Sequence, residues 1–306
     1  MWHLITVILG LAIFEVISSL DNAVVNAHVL QGLPQRFRKF FLTWGMIIAV
    51  VLVRGVLPFI IVWIANPSLS LGGLWQTVWS GSAAVEEALK TSKPLLLIGG
   101  GTYLVLVFLG WLFLEKKSYA FLVEHFLHRQ SAWFYAIVSV LCTVLLVLAM
   151  RVEPAMALAA SIGSTMYFVT DGFRKNAEAT EEHLQATSRS AWSSILYLEV
   201  LDASFSIDGV IGAFAFTMSV PLILLGNGLG ALIVRQVTVH GLALVQRYAY
   251  LKNGAMYSLG MLGGLMIFES FGHEYPFWVA PVNTVILLVV FLTLSEREIQ
   301  LARRQI

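Results

Sequence analysis

Charge is scarce in this chain. Asp, Glu, Lys and Arg make up 12% of its 306 residues, about half the share usual in a soluble domain. So little charge excludes an ordinary water-facing surface. Net charge is +1, so no bulk excess of either sign points to nucleic acid. Cysteine is almost missing: Cys142 stands alone. That excludes an internal disulfide and a thiolate metal cluster. The N-terminal stretch MWHLITVILGLAIFEV lacks the basic region of a secretory leader. Its apolar run continues through Glu15 to Asp21 with no small-residue cleavage site. It is expected to be a retained transmembrane helix.

What is there is apolar: 58% hydrophobic residues and a mean hydropathy of +0.81. The fold class that follows is an all-α polytopic membrane protein. A crossing needs about 20 mostly apolar residues. Nine stretches qualify: 4–30, 41–65, 94–114, 132–150, 154–170, 191–218, 221–244, 253–271 and 277–295. Pro154 and Pro221 suit the first turns of the fifth and seventh. The loop 66–93, with Trp75 and Trp79, is expected at the interface.

Basic residues set the expected topology. Fourteen of the 19 fall in loops 31–40, 115–131, 171–190, the loop before the eighth span, and the tail. Arg174 belongs to the 171–190 loop in this reading. Only Lys90, Lys93 and Arg151 lie on the other side, and Arg54 and Arg235 fall inside spans. The positive-inside rule then puts the N-terminus outside and the C-terminus in the cytoplasm, across an inner (cytoplasmic) membrane.

Two apolar spans carry the same acidic signature. In FEVISSLDNAVVNA, Glu15 precedes Asp21 by six residues; in LEVLDASFSIDGVIGAF, Asp202 precedes Asp208 by six, with Glu199 three earlier. Each is followed by a helix with glycine nine residues before arginine: Gly45 and Arg54, then Gly226 and Arg235. Spans one and six run in opposite directions, so the expected architecture is an inverted repeat relating spans 1–2 to spans 6–7. Such a repeat is common in secondary transporters, with the ion site where the halves meet. The organisation expected is a first repeat over 1–114, intervening spans and loops over 115–190, and a second repeat with the tail over 191–306.

Five intramembrane carboxylates would cost about 12–18 kcal/mol if they faced lipid. They must face the interior, pair, or take up a proton or cation. Their neighbours are oxygen donors: Ser18, Ser19, Asn22 and Asn26 in the first cluster, Ser204 and Ser206 in the second. Neither cluster contains histidine or cysteine. Oxygen donors suit Mg, Ca or Mn. Residues six apart on a helix point about 120° apart. Both acids of one helix therefore reach one ion only if the helix unwinds, and Gly209 is a candidate break point. Glu15 and Glu199 have a second reading, as buried partners of Arg54 and Arg235. Lesser polar features are Ser161, Ser164 and Thr165 as an extended polar path, and Glu269, His273 and Glu274 at the outer edge. His240 is a further cavity candidate.

These motifs resemble the TerC family, within the lysine-exporter superfamily. The matching residues are Glu15, Asp21 and Asn22; Trp44, Gly45 and Arg54; Glu199, Asp202 and Asp208; and GLGALIVR…RYAYLKNGAMYSLGMLGGLMI. The likeness is nearest to a TerC-like branch of unassigned function. It implies efflux of Mn(II) or a similar divalent cation, with no prosthetic group and no enzymatic activity. Partners implied are the metal ion and the bilayer, with self-association and exported metalloenzymes or secretion machinery beyond them. The alternatives open are export of a small organic solute such as an amino acid, and a non-transporting metal-sensing scaffold.

Overall fold

The computed structural model describes residues 2–19, 23, 26, 30, 33–48, 54–65, 72, 83–115, 122–185, 191–238, 248 and 250–304. Among these residues the regular structure is helical throughout. Three helical stretches, Ser92–Leu114, Ser131–Val152 and Val279–Leu301, are long and apolar enough to cross a membrane on their own composition; Trp2–Ser18 and Val220–Gln236 are shorter apolar helices. The chain is a helical membrane protein.

The helices are α1 (Trp2–Ser18), α2 (Gln35–Phe40), α3 (Leu57–Ala65), α4 (Ala83–Leu114), α5 (Leu122–Arg129), α6 (Phe134–Val152), α7 (Pro154–Gln185), α8 (Ala191–Ala213), α9 (Val220–Gln236), α10 (Leu251–Ser270) and α11 (Val279–Arg304). Between α2 and α3 the chain makes a wide π turn at Phe41–Gly45 and a short helical turn at Met46–Ile48. Residues 54–56, at Arg54, have the same widened winding.

Proline chemistry sets the α6–α7 corner. Pro154 pushes the residue before it out of helical geometry. Glu153 is accordingly extended, at φ −157° and ψ 129°. Pro221 opens α9 in its first turn. α10 stops where Gly272 takes φ +90°, a conformation that glycine adopts without steric cost.

Several expected loop boundaries move. Residues 83–93 belong to α4, not to a loop, and α4 runs 32 residues with Pro94 inside it. At 1.5 Å per residue that is about 48 Å, longer than a hydrocarbon core of about 30 Å. α7 also runs 32 residues, so 171–185 is helix rather than loop. The reason is that Tyr167, Thr170 and Arg174 continue one face of α7 inward beyond the apolar stretch that marked the fifth span. α11 remains helical through Arg304. Trp75, Trp79 and His240 lie outside the described residues.

α4 is the central element. Tyr103, Leu104, Leu97 and Ile98 on it are fully buried. It packs on α10 through small residues: a Cβ at Gly101 would sit 2.8 Å from Gly263 O, and one at Gly263 would sit 2.9 Å from Leu104 Cβ. On its other side a Cβ at Gly163 of α7 would sit 2.1 Å from Gly99 O, so Gly163 could not carry a side chain without moving backbone. α1 packs against α9 and α11, and α8 lies against α1, α4, α7 and α9.

Candidate functional site: two buried charge networks

α1 aims Glu15 at the interior. Its side chain is inaccessible to solvent. Oε1 accepts from Ser19 Oγ at 2.8 Å, Arg54 Nε at 2.8 Å and Arg54 Nη2 at 2.6 Å. Arg54 is itself buried and reaches toward Asp202 Oδ2 at 4.0 Å. A buried charge needs such a partner. The second oxygen, Glu15 Oε2, has no hydrogen-bond donor.

Glycines make room for this carboxylate. A Cβ at Gly230 would fall 2.5 Å from Glu15 Cβ and 2.8 Å from Ala12 O; a Cβ at Gly209 would fall 2.6 Å from Glu15 Oε2. α9 can approach α1 so closely only because it carries glycine there, whereas at Gly209 of α8 the atom met is the far end of the Glu15 side chain. The same device recurs at Gly45, where a Cβ would overlap Glu199 Oε1. Glu199 thus lies over the second span. Its Oε1 is buried without a donor, and Arg235 is not its partner among the described residues.

A cavity of about 40 Å³ lies beside the Glu15–Arg54 pair. Asn26, Arg54, Asp202, Arg235 and Thr238 line it, with apolar Ala231 and Val234. It therefore collects residues from both acidic helices and from the arginine-bearing helix after each. A cavity of that size holds a water molecule or an ion. Asn26 Oδ1 is buried with no donor.

The second network is centred on Asp208. Tyr103 Oη donates to Oδ1 at 2.5 Å, and Arg174 Nη2 donates to Oδ2 at 3.1 Å. Thr170 Oγ1 lies 3.4 Å from the same phenol oxygen. Three helices meet here: Tyr103 from α4, Thr170 and Arg174 from α7, Asp208 from α8. Arg174 is thus an interior ion-pair partner, not a solvated loop residue. α8 does not break at Gly209; it is continuous from Ala191 to Ala213. Asp202 and Asp208 accordingly point into different networks, as two positions about 120° apart on an intact helix must.

Asp21 and Asn22 lie outside the described residues. Ser18 Oγ bonds Glu15 O at 3.3 Å, and Ser206 Oγ bonds Asp202 O at 2.6 Å, so both hydroxyls are engaged locally. Ser164 and Thr165 likewise bond Ser161 O, on an exposed face. Glu269 pairs with Lys93 at 2.6 Å, and His273 stacks on Phe268. Beyond the membrane helices, burial and the Glu269 carboxylate push the Tyr275 phenol well above its usual range. Among the described residues, no three His, Cys, Asp or Glu side chains converge as a metal cluster.

Sequence reasoning missed Tyr103, Arg174 and two further features. Asn227 on α9 is fully buried, and neither of its amide atoms has a partner. It sits one turn from Gly230. Glu124 on α5 is fully buried, with Asn253 Nδ2 at 3.0 and 2.9 Å from its two oxygens. An isolated polar residue in LGNGLGALIVR was the available signal for Asn227. The spacing Tyr167, Thr170, Arg174 was the signal for α7.

Residues 20–301 match the model of a family described as Protein of unknown function (DUF475). The chain belongs to the DUF475 family. This overturns the resemblance to TerC, a distinct family. The acidic pattern of this chain does not by itself decide the family, because carboxylates on apolar helices meet the same physical constraints in any membrane protein. One curated relative of this DUF475 protein is the uncharacterized membrane protein YceF of Bacillus subtilis (strain 168), 30% identical over 106 residues. The match covers 35% of this chain and 39% of YceF's length. No solved structure matches.

Proposed function

We propose that this DUF475 protein is a membrane transporter of a cation, with a divalent ion the class that its oxygen donors suit best. The observation that carries the reading is a set of buried acceptors without donors: Glu15 Oε2, Glu199 Oε1 and Asn26 Oδ1. A buried carboxylate oxygen left unpaired is costly. A cation or a proton satisfies it. The acidic helices also hold four described carboxylates, Glu15, Glu199, Asp202 and Asp208, against three interior guanidiniums, Arg54, Arg174 and Arg235. The surplus is negative before Asp21 is counted.

The arginine-bearing helix of each half makes room with glycine for a glutamate of the other half, Gly230 for Glu15 and Gly45 for Glu199, which supports a pairing of two halves. In this reading one repeat rocks against the other to alternate access. Asp21, Asn22, Asp202 and Asp208 would supply ligands as the halves move, with Ser18, Ser19 and Ser206 in support. The charge split of the loops favours an N-terminus outside. A preference for Mn(II) loses its main support with the TerC resemblance, and Mn(II) becomes one ion to assay.

The test is flux into proteoliposomes holding a divalent-sensitive dye, with Mn(II), Mg(II) and Ca(II) added separately. Saturable uptake of at least one ion is expected. Glu199→Gln, and Asp21→Asn with Asp208→Asn, should each reduce it at least tenfold. Undiminished flux in both variants, or none for any divalent ion, removes the proposal. Arg54 and Arg235 on one cavity favour a second reading, a zwitterionic organic solute whose carboxylate they would bind. Radiolabelled lysine and alanine in the same vesicles separate the two.

A further inference from the structure

We infer that the cleft between α2 and the start of α8 is a binding site for the headgroup of an anionic phospholipid. The cleft has a volume of about 480 Å³ and is lined by Arg36, Lys39, Thr43, Trp44 and Trp192, with Phe37 and Phe40 behind them. Trp192 meets Phe37 and Phe40 edge-on, at ring distances of 5.4 and 5.1 Å. These contacts fix the short basic helix against the end of α8.

Three observations select a phospholipid. First, Arg36 and Lys39 are exposed, and among the described residues no carboxylate pairs with either. Two unneutralised cations beside a hydroxyl suit a phosphodiester. Second, Trp44 and Trp192 remain more than half exposed, as indoles do at the level of lipid headgroups. Third, exposed apolar residues continue from the cleft's two tryptophans along the chain. Ile47 and Ile48 follow Trp44, and Leu196 and Val200 follow Trp192 along one face of α8; all four are exposed. Those residues suit acyl chains and would be idle under a free phosphate ion. Basic pockets between helices at the cytoplasmic interface bind anionic lipid headgroups in this way. The site is separate from both buried charge networks, so it stands whether or not the protein carries a cation.

Native mass spectrometry of the purified full chain in mild detergent tests the inference. The probe is an equimolar mixture of phosphatidylglycerol and phosphatidylcholine with identical chains. Phosphatidylglycerol adducts should dominate. Arg36→Gln with Lys39→Gln should lower the glycerol-to-choline adduct ratio about tenfold. Arg129→Gln, an exposed cation at the end of α5, should leave the ratio unchanged. Equal retention of both lipids by the native chain overturns the inference. So does an undiminished ratio in the double variant, or an equal drop in Arg129→Gln. Millimolar inorganic phosphate should not strip the lipid; if it does, the site is a free-anion site and the lipid assignment fails.

Discussion

Gly230→Ala is expected to destabilise the protein while Gly228→Ala, two residues away on α9, is not. The added Cβ at Gly230 would stand 2.5 Å from Glu15 Cβ, 2.7 Å from Glu15 Cγ and 2.8 Å from Ala12 O, where ordinary contacts are 3.4–4 Å. α1 and α9 must therefore separate by about 1 Å. Ala12 O is backbone and Glu15 Cβ is next to it, so no rotamer change relieves the overlap. Overpacking costs about 1–3 kcal/mol, and a contact with backbone belongs at the upper end. The better helix propensity of alanine returns about 1 kcal/mol. The net loss is about 2 kcal/mol. At Gly228 a Cβ meets nothing within 4 Å, so only the propensity gain of up to about 1 kcal/mol remains. The two substitutions should differ by about 3 kcal/mol in opposite directions. The assay is thermal stability in detergent, read as the monodisperse fraction surviving a heating series. A native-like melting point for Gly230→Ala refutes the packing argument, and so does an equal fall for Gly228→Ala.

Other substitutions probe the charge networks. Arg54→Met leaves Glu15 buried and unpaired, at a cost of about 3–5 kcal/mol; adding Glu15→Leu should recover most of it in the same heating series. Tyr103→Phe removes one of the two donors to Asp208 and should cost about 1.5–3 kcal/mol, since the acceptor is charged. A Cβ at Gly209 would meet side-chain atoms only, Glu15 Oε2 at 2.6 Å and Glu15 Cδ and Ser18 Oγ at 3.5 Å. Gly209→Ala should cost less stability than Gly230→Ala yet reduce cation flux, because it displaces the carboxylate rather than the helix.

The helical membrane fold was legible because scarce charge and long apolar runs leave few alternatives. The acidic helices were legible for a related reason: carboxylates on apolar helices need an explanation. Their partners were harder to read. Arg54 could be paired with Glu15 in advance because both lie in apolar helices adjacent in sequence. Arg174 could not, because the apolar run ends near Thr170 and the helix does not. Span finding measures hydropathy, whereas helix length here depends on a polar face packed inward. The continuity of α8 through Gly209 was also hidden. Glycine reads equally well as a break or as room for a neighbour, and only the position of Glu15 Oε2 decides between them. The family assignment failed for a further reason. A short acidic pattern reports the physics of buried charge, which does not distinguish one membrane family from another.

α8 links the two networks, since Asp202 faces the Arg54–Arg235 cavity and Asp208 faces Tyr103 and Arg174. A cation that takes Arg174's place on Asp208 Oδ2 must first break that ion pair. Breaking a buried pair costs about 3–5 kcal/mol, and each 1.4 kcal/mol is about tenfold in affinity. On the proposed reading the arginine would hold cation affinity about two to four orders of magnitude below that of an unpaired carboxylate site. Weak binding is what release on the far side of a membrane requires. Arg174→Gln should thus tighten cation binding and slow turnover together. Isothermal titration with Mn(II) or Mg(II) reads the first, and proteoliposome flux reads the second. If Arg174→Gln lowers both affinity and flux, the guanidinium is only a structural brace for Asp208 and does not compete with the ion.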